Sequence, residues 1–125
     1  MKLIFGGAYQ GKKEFIKEKY NLIDSDILQC SEDMDFSFDY KDYANINLFI
    51  LGCLQRKEDP IKFFSSNLDK LKDKVITCVD ICCGVVPLGK EFRLYRDNVG
   101  KIMQLLSRES DEVYRIFCGL GDKLK

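Results

Sequence analysis

Histidine and tryptophan are absent from the 125-residue chain, proline occurs twice, and 20 basic side chains are matched by 20 acidic ones. Without an imidazole the chain by itself cannot build a Ser-His-Asp triad, a Cys-His pair, a histidine metal site or a covalent histidine intermediate. Zero net charge gives no general attraction to nucleic acid or anionic lipid, so neither is an expected partner. The longest apolar runs, such as Leu48 to Leu51, fall far short of the roughly 18 residues that a membrane span requires.

The opening Met1-Lys2-Leu3-Ile4-Phe5 meets Gly6-Gly7 with no cleavable apolar segment, which leads to the expectation of a cytoplasmic protein. Cys30, Cys53, Cys78, Cys82, Cys83 and Cys118 are then expected as thiols. No C-x-x-C pair marks a zinc site. Cys78, Cys82 and Cys83 are either three soft ligands or small buried side chains around a strand end.

What is present is 46% apolar sequence, enough for a globular core. The neutral total hides a polarised layout: residues 1–20 sum to +3, residues 21–59 to −6 and residues 60–125 to +3. No repeat or low-complexity linker divides the chain, so residues 1–125 are expected to form one domain.

Lys2 to Phe5 reads as a buried strand stopped by two glycines, and Lys12 to Tyr20 as an amphipathic helix with Phe15, Ile16 and Tyr20 on one face. Ile27 to Gln29 predicts a brief strand, and the alternating aromatics of Asp35 to Tyr40 an edge strand or extended loop. Helical spacing runs from Tyr43 to Leu54. Asp59-Pro60 predicts a capped helix start, with the helix continuing to about Lys72. Val75 to Val79 has the β-branched pattern of a buried parallel strand ending at Asp80. A long amphipathic helix through Phe92, Tyr95, Val99, Ile102, Met103 and Leu106 precedes a last strand at Glu112 to Cys118. This alternation predicts a three-layer α/β fold with a mainly parallel sheet, whose ligands bind at the carboxyl ends of the strands.

At the first such end stands Gly6-Gly7-Ala8-Tyr9-Gln10-Gly11-Lys12-Lys13. The phosphate-loop pattern G-x-x-x-x-G-K-[ST] is met at Gly6, Gly11 and Lys12 and fails at Lys13. Glycines let backbone N–H groups converge on phosphate oxygens, the helix N-terminus adds its dipole, and Lys12 would reach the outer phosphates of ATP or GTP. The missing Ser or Thr would normally ligate Mg²⁺. Lys13 reads either as a solvated helix lysine or as a cation that partly replaces the metal's charge. A glycine-rich turn without a ligand is the competing reading of the whole motif. Asp80, at the end of a neighbouring strand, is a candidate metal-side carboxylate or a turn cap. Arg93 and Arg96 share a helix face and either grip phosphate or form a solvated basic patch.

Asp80-Ile81-Cys82-Cys83-Gly84-Val85-Val86-Pro87, then Arg93, Arg96-Asp97, Gly100, Gln104, Asp111-Glu112-Val113 and Gly119-Leu120, resemble the C-terminal half of the bifunctional adenosylcobinamide kinase/adenosylcobinamide-phosphate guanylyltransferases of cobalamin biosynthesis. The resemblance extends to the N-terminal Gly-Gly-Ala-x-x-Gly-Lys and is poor over residues 21–74. It implies a P-loop NTPase-like enzyme, often trimeric, that phosphorylates adenosylcobinamide with ATP or GTP and then transfers GMP to that phosphate. By position, Gly6, Gly7, Ala8, Tyr9, Gln10, Gly11, Lys12 and Lys13 would surround the nucleotide, Lys12 and Asp80 would be catalytic, and Asp80 stands where the family has Glu.

Lys13 departs from the family's Ser, and no histidine is present to take up GMP. The family's Asp-Cys-Leu-Thr strand has its nearest counterpart in Gly52-Cys53-Leu54-Gln55, which reads as helical. The expectation is therefore a nucleotide-binding relative that retains at most the kinase reaction. The alternative is a non-catalytic module for nucleotide, corrinoid or a partner protein.

Overall fold

Two runs rich in aliphatic residues, Lys2–Gly6 (β1) and Val75–Val79 (β4), lie side by side and parallel at the centre of a six-stranded sheet. The computed structural model describes residues 1–81 and 89–125. Around the central pair the order is β2-β3-β4-β1-β5-β6, with β2 at Ile27–Gln29, β3 at Asp42–Ala44, β5 at Glu112–Phe117 and β6 at Leu120–Lys123. All pairings are parallel except that of β6 with β5. The chain is thus α/β with a mostly parallel sheet flanked by helices, consistent with a P-loop NTPase-like fold.

Strand alternation divides the core into two layers. Ile4, Ala44, Val75, Tyr114 and Ile116 face the helix Lys12–Tyr20 (α1) and meet its Ile16. Leu3, Tyr43, Ile76, Cys78 and Val113 face the other way. There they meet Ile46–Gln55 (α2), Pro60–Ser66 (α3), Leu68–Leu71 (α4) and the 20-residue helix Lys90–Glu109 (α5), which contributes Tyr95, Val99, Ile102 and Leu106. The apolar spacing of α5 therefore buries one stripe and leaves the basic side outward.

One open alternative is decided and three expectations need correction. Asp35 to Tyr40 takes the loop of the two alternatives, not the strand; Phe36 stacks on Tyr43 at 4.6 Å and touches Phe49, Phe63 and Phe64, so aromatic burial holds this irregular segment. Tyr43 lies in β3, not in the helix, because Asn45 takes a left-handed backbone (φ 58°) between strand and α2. The expected helix from Pro60 to Lys72 breaks at Asn67, whose side chain donates to the Phe63 carbonyl at 2.7 Å. Its start is as expected, with the Asp59 carboxylate accepting from the Ile61 and Lys62 N–H groups. Finally, Cys118 and Gly119 turn the chain with positive φ into β6, which the sequence pattern missed.

Candidate phosphate-loop site

The loop between β1 and α1 is shaped by two glycines. Gly6 lies between β4 and β5, opposite Val79 and Ile116, and a Cβ there would stand 2.4 Å from the Ile116 carbonyl oxygen. Only glycine lets these strands approach. Gly11 has φ +90°, and its Cβ position is 3.2 Å from the Gly119 Cα. Gln10 ties the loop to the β5–β6 turn: its side-chain oxygen accepts from Cys118 N–H at 2.7 Å and its carbonyl from Gly119 N–H at 2.8 Å. Tyr9 is left fully exposed at the loop apex.

Lys12 opens α1 with 8% of its surface exposed, and its ammonium donates to the Gly7 carbonyl at 2.6 Å. Burial pushes its pKa below the usual lysine value, partly opposed by the nearby Cys78 thiol. Arriving phosphate oxygens would offer this ammonium charged acceptors in place of one carbonyl. Lys13 points along the helix flank, 3.5 Å from Asp24, which also pairs with Lys17.

A cleft of about 700 Å³ runs along the loop, lined by Ala8 to Glu14, by Gln29 of β2 and by residues of three further elements. β3 and α2 bring Ala44, Asn45, Asn47 and Leu48, and β4 brings Thr77 and Val79. Asn47 is buried and bridges layers: its carbonyl oxygen accepts from Val79 N–H and its amide donates to the Tyr95 hydroxyl, both at 3.3 Å. Thr77 donates to Asp42 at 2.9 Å. Sequence reading missed Asn47, Thr77 and Asp42; for Asn47 and Thr77 the available signal was a polar residue inside an apolar run, and Asp42, between Lys41 and Tyr43, had none.

Asp80 adjoins the start of the loop but lines a different cleft. Its N–H donates to the Gly6 carbonyl at 2.8 Å, which fixes the backbone beside the loop. It lines a second cleft, of about 520 Å³, against α5, with Phe5, Val99, Gly100, Met103 and Arg108. Lys12 and Asp80 therefore line different clefts, with Val79 shared between them. Arg96 borders a third recess on α5 with Asp97, Gly100 and Lys101, and Arg93 is exposed. Cys82, Cys83 and the Gly84 to Pro87 motif lie outside the described residues. Among those described, no three Cys, Asp or Glu side chains are grouped to hold a metal ion, and no helix is long and apolar enough to cross a membrane.

The family model for Cobinamide kinase / cobinamide phosphate guanyltransferase matches residues 47–124. The chain belongs to that family. The matched span contains Asp80, Arg93 and Arg96 and begins after the Gly6 to Lys13 loop. No curated protein matches the chain.

Proposed function

We propose that the chain binds a nucleoside triphosphate, ATP or GTP, in the cleft over Lys12, as a cobinamide kinase relative that retains only the kinase half of the family's chemistry. The observation that carries this reading is the buried Lys12 ammonium at the start of α1, behind a glycine-shaped loop at the carboxyl end of a central parallel strand. Family membership supports adenosylcobinamide as the acceptor. In phosphoryl transfer the acceptor hydroxyl oxygen would bond to the γ-phosphorus as its bond to the β,γ-bridging oxygen breaks, and the hydroxyl proton would leave to solvent or a base. Loop N–H groups and Lys12 would stabilise the charge on the transferring group. With no histidine in these residues, guanylyl transfer through a histidine has no acceptor here.

Asp80 in its own cleft favours a second reading, a nucleotide-binding relative without turnover. Calorimetric titration with ATP and GTP, with and without Mg²⁺, followed by incubation with adenosylcobinamide, separates the two. Binding with phosphorylated product supports the kinase, binding without product the second reading, and no binding at millimolar nucleotide sinks both. A stable GMP-protein adduct after incubation with GTP would overturn the loss of guanylyl transfer.

A further inference from the structure

The loop lacks a hydroxyl after Lys12, yet the cleft contains one on another strand. Thr77 stands between Ile76 and Cys78 in β4, so alternation turns it toward the α1 side, where it lines the cleft with Lys12. It donates to Asp42 Oδ1 at 2.9 Å. Asp42 is wholly buried, and its Oδ2 has no hydrogen-bond partner among the described residues. An apolar pair would fill such a position without the cost of burying an unmet carboxyl oxygen, so stability does not account for it. A threonine hydroxyl has one proton and two lone pairs. With the proton given to Asp42, what remains on Thr77 is acceptor capacity.

We propose that Thr77, held by Asp42, is an oxygen ligand for the divalent cation that accompanies a triphosphate in this cleft, in place of the hydroxyl missing after Lys12. The proposal rests on the nucleotide-binding reading above. The donor set of the cleft fits a hard cation, since Thr77, Glu14 and the side-chain amides of Gln29, Asn45 and Asn47 supply oxygen and no sulfur. Asp42 acts as a positioning residue: it fixes the rotamer and proton of Thr77 from below.

The test compares wild type, Thr77→Val and Thr77→Ser by titration with ATP in Mg²⁺ and in EDTA, and reads the ratio of the two affinities. Mn²⁺ in place of Mg²⁺ adds a spectroscopic readout, the electron paramagnetic resonance signal of the bound Mn·ATP. The expected result is a ratio reduced about tenfold in Thr77→Val, the loss of one good ligand contact, with an altered Mn²⁺ signal and recovery in Thr77→Ser. An unchanged ratio in Thr77→Val, or an equal loss in Thr77→Ser, overturns the proposal. So does wild-type binding that ignores Mg²⁺, which would leave the nucleotide reading intact. Absence of ATP binding in both buffers overturns the nucleotide reading and this proposal with it.

Discussion

The two clefts at the carboxyl edge of the sheet differ in what they are made of. The cleft against α1 is the more polar and is assembled from five places in the chain, with Lys12, Gln29, Asn45, Asn47 and Thr77 on its walls. The cleft against α5 is mainly apolar, with Phe5, Ile81, Val99 and Met103 around Asp80 and Arg108. The phosphate-loop pattern lines the first, and the family match covers most of the second. One strand end, Val79, serves both. The contrast implies that the two clefts can diverge separately, because each rests on its own helix layer.

The largest effect expected concerns the foundation of the polar cleft. Burial raises the Asp42 carboxyl to about 7, and burial, with the Asp42 charge second, pushes the Cys30 thiol up to about 12, so it stays neutral. As pH rises from about 4 to about 7 the unfolded chain releases the Asp42 proton while the folded chain keeps it. Stability therefore falls across that window and levels off above it. Denaturant unfolding at pH 5 and pH 8 should show a loss in wild type, on the order of 3 kcal/mol at most, that Asp42→Asn largely removes. Equal losses in the two proteins would mean that Asp42 is solvated and that the polar cleft has no buried acid beneath it.

Next comes the division of labour between the clefts. Removing a buried cation that contacts phosphate costs about 3 kcal/mol, so Lys12→Ala should weaken ATP binding roughly 100-fold. Asp80→Asn, measured without Mg²⁺, should change affinity by about threefold or less, since it lies in the other cleft. Comparable losses would merge the two clefts into one site. A smaller effect tests the loop's scaffold: Gly6→Ala forces a Cβ against the Ile116 carbonyl and should lower stability by about 2 kcal/mol. Gly7→Ala is the control, because its Cβ would meet only Gln10 side-chain atoms, at 3.6 Å and beyond, and its thermal midpoint should match wild type.

Much of this layout was legible in the sequence, and the reasons differ by element. β1, α1, β4 and α5 carry long or clean periodicity, and the loop motif depends on consecutive residues. β3 was hidden because Asp42-Tyr43-Ala44 is three residues long and runs into a helical pattern separated from it only by Asn45. β6 was hidden because Leu120-Gly121-Asp122-Lys123 is exposed throughout, so no buried face marks it as a strand. The cleft's remote walls could not be read at all. Thr77 and Asp42 are 35 residues apart and meet only through strand pairing.

The weakest predicted effect decides between the two readings of Lys13. In the structure its ammonium is half exposed and shares Asp24 with Lys17, and these two lysines hold the Asp24 carboxyl below the usual range, Lys17 foremost. Lys13 also borders the polar cleft. Asp24→Asn removes its exposed partner, and exposed pairs are weak, so the change in ATP affinity should be about threefold or less. Its sign carries the information. A gain that fades with added salt would mean that the released ammonium reaches the phosphates and that the cation standing in the loop's hydroxyl position adds charge to the site. No change would make Lys13 a solvated helix lysine and leave Lys12 as the cation of the polar cleft that meets phosphate.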